Sequence, residues 1–247
     1  MKIIKSLLTA FAIAFTNQVS GQQTDKIETD WQSSIVLLDI TRNNHNFRIP
    51  WDKRAQSVSK FGVVIKDKEL ITTATGLANH TLIRIQKGGR GKWTNGKVNW
   101  IDYQANLAVL GVESDDFWKD LKPVKFAESK KLKKNLQVIR WRGGNIEKRA
   151  AEFSRFTVAD ANFNQAPRIE LKASSEIEGA GQAELMVSGD KVVGLVASKI
   201  SGTCSVIPAP FITDVIRLRE SNNYNGLGYF DFIWQPASNP AVTDYFK

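Results

Sequence analysis

The chain has 247 residues, 42% of them apolar and 24% charged, a balance that builds a buried core and excludes global disorder. Its one cysteine, Cys204, excludes an intramolecular disulfide, and His45 and His80 together with that cysteine match no metal-ligand spacing, so neither a metal nor another cofactor is expected. The formal net charge of +9 is unevenly spread: between residues 119 and 149 eleven Lys and Arg face Asp120, Glu128 and Glu147, a local +8.

The chain opens with Met1, Lys2 and Lys5, continues with an apolar run over residues 7–15, and reaches the small residues Val19 and Gly21 through polar ones. That layout predicts a secretory signal peptide over residues 1–21, cleavage after Gly21, and a secreted or periplasmic mature chain starting at Gln22. The apolar run is too short to span a bilayer. From residue 34 onward, short runs rich in Val, Ile, Leu and Phe are punctuated by Gly, Asn, Asp and Lys. They predict strands over 34–40, 60–65, 69–73, 82–86, 96–101, 107–112, 137–141, 155–159, 168–172, 183–187, 191–197 and 204–208. Lys66-Asp67-Lys68 and Ser188-Gly189-Asp190 read as hairpin turns. Ile212, Val215, Ile216 and Leu218 share a face at helical spacing, which predicts a terminal helix over 212–220. Many strands with tight turns suit barrels or a sandwich. Strand count and short connections favour an all-β domain over residues 30–220, two packed six-stranded barrels with a short C-terminal helix, followed by a tail over 224–247.

In an exported protein the basic segment, with Lys130, Lys131, Lys133, Lys134, Arg140 and Arg142, either offers a surface to an anionic envelope polymer or is a solvated loop and strand face. Nucleic acid is not an expected partner.

Four stretches, in order, resemble the landmarks of trypsin-like serine proteases of the HtrA type. Residues 61–65 (Phe-Gly-Val-Val-Ile) and 70–77 (Leu-Ile-Thr-Thr-Ala-Thr-Gly-Leu) are similar to the family's strand pair ending in Thr-Asn-Ala-His-Val-Val, with Thr75 where the family has histidine. Residues 102–110 (Asp-Tyr-Gln-Ala-Asn-Leu-Ala-Val-Leu) are similar to its Asp-Leu-Ala-Leu-Leu segment, with Asn106 where the aspartate stands. Residues 126–144 resemble the bridge into the second barrel. Residues 169–185 align without a gap to the segment ending Gly-Asn-Ser-Gly-Gly-Pro-Leu, which puts Gly181 at the nucleophile position, and Val206-Ile207-Pro208 resembles the Ala-Ile-Pro before the last helix. The resemblance implies that Thr75 and Asn106 come from the first barrel and Gly181 from the second, meeting at the cleft between them.

In such enzymes a serine hydroxyl attacks the peptide carbonyl, a histidine takes its proton, and an aspartate orients the imidazole. Thr75 offers no base near neutral pH, Asn106 no charge and Gly181 no side chain. Around Gly181 the loop of Gly179, Ala180, Gln182 and Ala183 is also altered: Gln182-Ala183-Glu184 stands where the family has Gly-Gly-Pro, so the N–H groups that cradle the oxyanion are expected to be misplaced. His80 reads as part of a turn facing away from the cleft and His45 as a solvated loop residue. Ser174, Ser175 and Ser188 lack flanking nucleophile glycines, and Cys204 reads as a small core residue. Gly226, Leu227, Gly228 and Tyr229 resemble the carboxylate-binding loop that begins a PDZ domain, which would bind a peptide; the same segment also reads as a packed C-terminal strand and tail. The resemblance thus implies a non-catalytic, exported module that binds a peptide or protein or serves as a scaffold. Two other readings stand beside it: an active serine endopeptidase with its triad in another register, and an unrelated all-β protein that binds an anionic polymer.

Overall fold

The computed structural model describes residues 30–44, 46–52, 54–66, 68–128, 132–159, 168–228 and 240–245. The expected signal peptide, His45, Lys130, Lys131 and Tyr229 lie outside them. After a 3-10 turn at Trp31–Ser33, the first half of the chain forms β1 (Ile35–Asn44), β2 (Arg54–Val64), β3 (Glu69–Thr72), β4 (His80–Lys87), β5 (Trp93–Asn95), β6 (Lys97–Asp102), β7 (Leu107–Gly111) and a one-turn helix α1 (Asp115–Trp118). The second half forms β8 (Asn135–Arg142), β9 (Asn145–Ala159), β10 (Arg168–Ser175), β11 (Leu185–Ser188), β12 (Lys191–Ile200) and β13 (Thr203–Pro208). Two helices follow, α2 (Ala209–Glu220) and α3 (Pro240–Tyr245).

The second six strands close into a barrel in the order β10-β13-β12-β11-β8-β9. The first seven run β5-β4-β1-β2-β3-β7-β6, and the two edge strands are halves of one bent segment joined at Gly96. Gly96 donates its N–H to Ile83 O at 2.9 Å, which extends the β4–β5 pairing to the corner where the chain turns into β6. A Cβ there would lie 2.5 Å from Ile85 Cδ1, so a larger residue would have to displace that buried side chain. Counting the bent segment once gives the expected six strands per barrel.

Strand periodicity then divides the core. Val36, Leu38 and Ile40 point into the first barrel while Ile35 faces the second. Leu136 and Val138 fill the second barrel while Ile139 and Trp141 face the first. Strands buried on both faces read as unbroken apolar runs, which is why these were visible in the sequence. The layer between the barrels also contains Phe61, Leu107, Leu185 and Ile212, and Trp141 Nε1 donates across it to Ile35 O at 2.8 Å. Helix α2 begins at Ala209, three residues earlier than periodicity alone predicts, because Pro210 sits in its first turn, where a missing N–H is no loss. Its far end returns to the first barrel through ion pairs Arg219–Glu69 and Lys66–Glu220.

The main departures from the expected strands are β9, β2 and β11. Strand β9 starts at Asn145, ten residues before the predicted run, because its outer positions carry charge while pairing with β8 holds it in the sheet. Strand β2 likewise starts at Arg54. Strand β11 starts at Leu185, and Ala183 belongs to the preceding loop with a φ of 66°.

Candidate functional site

The loop after β3 carries Thr75, which is exposed. Both its N–H and its hydroxyl donate to Asn106 Oδ1, each at 2.8 Å. Asn106 is buried in the turn before β7 at a φ of 53°, a left-handed conformation that asparagine tolerates. Asp102 builds that turn by accepting the N–H groups of Gln104 (2.7 Å) and Ala105 (2.9 Å), and its other oxygen accepts the Tyr224 hydroxyl at 2.6 Å. Burial and the Asp102 carboxylate push the Tyr224 phenol well up, so it stays a neutral donor. The first-barrel side of the site is thus a fixed Thr75–Asn106 pair.

Beneath it lies Lys60, fully buried on β2. Its ammonium donates to Thr73 O (2.5 Å), Thr73 Oγ1 (2.6 Å) and Thr75 O (2.5 Å), which uses all three of its protons. Burial pushes its pKa down to about 7, while the Glu184 charge opposes the fall.

In the second barrel, Glu184 is buried and its Oε2 accepts the N–H groups of Gly181 and Gln182, each at 2.8 Å. Burial pushes this carboxyl up, against those hydrogen bonds and the Arg140 charge. Arg140 Nη1 stands 3.8 Å from Oε1, which has no hydrogen-bond partner among the described residues. Gly181 has a φ of 125°, a backbone state open to glycine alone, and a Cβ there would approach Ser198 Cα at 3.0 Å. The loop is anchored on both sides: Ala183 N donates to Val196 O (3.0 Å), and Phe61 N, from the first barrel, donates to Gln182 O (2.9 Å). Thr75 and Asn106 therefore touch directly, and the Gly181 loop is tied to the first barrel through the Phe61 N–Gln182 O bond.

In a serine protease the nucleophile's own N–H is one of the donors that stabilise the tetrahedral oxyanion. At Gly181 that donor is held by the protein's own carboxylate. No Ser–His hydrogen bond occurs among the described residues: His80 Nδ1 lies 2.8 Å from Leu77 O, and Ser175 Oγ donates to Ala150 O at 2.9 Å. Ser188 ends β11 and pairs with Lys191 across the expected hairpin turn at Gly189 and Asp190. Cys204 is buried among Leu171, Val193 and Val206, and burial pushes its thiol up. No group of three metal-ligating side chains occurs among the described residues.

The remaining candidates are dispersed. Arg140 is buried against Glu147 (2.8 Å), which also takes Arg142 (3.4 Å) and Arg149 (2.9 Å). Burial raises the Glu147 carboxyl, but hydrogen bonds from Arg140 and Arg149 outweigh it and hold the pKa at about 2. Lys134 pairs with Glu152 at 2.7 Å, and Lys133 lines an open groove of about 1910 Å³ that includes none of Thr75, Asn106 or Gly181. Gly226, Leu227 and Gly228 follow α2 as irregular chain, with Leu227 packed on the layer between the barrels. Sequence reading missed Lys60 and the inward role of Glu184. The signal was a charged residue placed directly beside the apolar runs 61–65 and 185–187.

Two antiparallel barrels with cleft loops from both, tied by a C-terminal helix, define the trypsin-like double-barrel fold. Its solved neighbours include the Rv3671c protease from M. tuberculosis in its active form, with a TM-score of 0.59, 16% identity and coverage of 82% of this chain and 84% of that one. The HtrA-type protease AlgW with decapeptide has a TM-score of 0.61 and 14% identity, covering 78% and 66%. The chain's homologues are Do-like and DegP-type serine proteases. Protease Do-like 4, mitochondrial, of Arabidopsis thaliana is 23% identical over 222 residues, 87% of this chain. The chain spans 38–45% of the length of the six Do-like relatives it matches over most of its own. No family model matches.

Proposed function

We propose that this member of the HtrA-type fold is a pseudoprotease, an exported module that binds a peptide or protein rather than cleaving it. The reading rests above all on the Gly181 loop. Its backbone N–H groups, one of them at the position the resemblance gives to the nucleophile, are engaged by buried Glu184, and its φ of 125° makes any side chain that could carry a hydroxyl strained there. Oxyanion stabilisation supplies a large part of acyl-transfer catalysis, and an occupied cradle supplies none. Thr75 and Asn106 satisfy each other and leave no base. A peptide is the fitting ligand class, since the neighbouring HtrA-type protease was solved with a decapeptide and a double barrel keeps its cleft when its chemistry goes. Incubation with a fluorophosphonate probe and with unfolded casein, beside an active HtrA protease, tests the reading. No labelled serine and intact casein are expected; labelling of one serine, with cleavage lost when that serine becomes alanine, overturns it.

A further inference from the structure

The β1–β2 hairpin reaches beyond the barrel. Strand β4 pairs with β1 only as far as Arg42, whereas β1 and β2 stay paired to Asn44 and Arg54, so the end of the ribbon stands alone. The turn at its tip is compact: Asn46 Oδ1 accepts the N–H groups of Arg48 (3.0 Å) and Ile49 (3.3 Å), and Asp52 N donates to Ile49 O at 2.9 Å. This turn holds large apolar side chains outward at every second position. Phe47 is 94% exposed, Ile49 41% and Trp51 82%, and Trp51 is the only exposed tryptophan among the described residues. Around them residues 42–54 carry Arg42, Arg48, Lys53 and Arg54 against Asp52 alone, a net +3.

We infer that this tip is an interfacial anchor that inserts Phe47, Ile49 and Trp51 into the headgroup region of a bilayer bearing anionic lipids. Trp and Phe at a protein's edge settle at the boundary between water and hydrocarbon, and arginines beside them pair with lipid phosphates. Apolar side chains this exposed on a protruding, basic ribbon end suit a deformable anionic surface, whereas a protein partner would have to supply a pocket for each of them. Attachment through so few side chains is peripheral and reversible, and among the described residues no helix is long and apolar enough to cross a membrane. The anchor lies apart from the cleft, so it stands or falls independently of the pseudoprotease reading.

The full chain is sedimented with vesicles of phosphatidylcholine alone and with vesicles containing phosphatidylglycerol. The expected result is binding to the anionic vesicles only, reduced at least about tenfold by F47S/W51S and by R48E, which change exposed residues and leave the core intact. Lipids brominated in their acyl chains should quench tryptophan emission in the wild type. They should quench far less in W51F, whose sedimentation is retained. A double variant that binds like wild type, or quenching unchanged in W51F, overturns the anchor. A wild-type chain that stays in solution with both vesicle types also overturns it and leaves a protein partner for the tip.

Discussion

In the first barrel Thr75 and Asn106, which the resemblance sets at the base and aspartate positions, are bonded at 2.8 Å. In the second barrel the Gly181 loop is built around a buried carboxylate. The first is a matter of side chains: Thr75 is exposed, and a different residue could stand there. The second is one of backbone, because the φ values of Gly181 and Ala183 and the N–H groups turned toward Glu184 are set together. An exposed side chain is changed by one substitution; a loop conformation requires several.

The largest effect should come from Lys60, buried in the first barrel. Replacing it with methionine keeps its bulk but leaves Thr73 O and Thr75 O without their donor, and a buried acceptor left unsatisfied costs about 1–3 kcal/mol. Urea unfolding of the purified chain reads that loss. The pH dependence sharpens the test. The folded pKa of about 7 lies below the ordinary 10.5, so between these values the unfolded chain binds more protons. Stability from this group therefore rises with pH across that window and is at its lowest below pH 7. K60M should lack that rise; an identical slope in both proteins would mean that Lys60 is not buried as described.

The next effect separates the halves directly. Gly181→Ser forces a Cβ into a glycine-only conformation against Ser198 and should destabilise by about 2 kcal/mol. Thr75→His alters an exposed residue and one hydrogen bond and should change stability by less than about 1 kcal/mol. Thermal melts of the two variants compare them. Equal shifts would remove the contrast between side-chain and backbone change.

The smallest effect should be a gain. Ala183 holds a φ of 66°, and glycine relieves the left-handed strain while adding freedom to the unfolded chain, so Ala183→Gly should stabilise by about 0.5 kcal/mol. A loss in the same denaturation assay would show that the Ala183 methyl packs more favourably than its backbone is strained.

The sequence by itself determined the all-β class and most strands. Strands covered on both sides must be apolar along their whole length, and runs such as 107–112 declare themselves without any partner. It also determined that Thr75, Asn106 and Gly181 cannot perform the family's chemistry as side chains, since identity alone fixes what an atom can donate or accept. What only the tertiary structure decided is where charge goes when it is buried. Lys60 adjoins one strand run and Glu184 another, 124 positions away in the chain, and each looks like a solvent-facing residue by its neighbours. Their burial depends on loops folding over them so that one cation meets three acceptors after β3 and one carboxylate meets two N–H groups of its own loop. The bend at Gly96 and the exposure of Phe47 and Trp51 are of the same kind. Local pattern records what a residue prefers, whereas long-range packing settles whether a neighbour arrives to cover it.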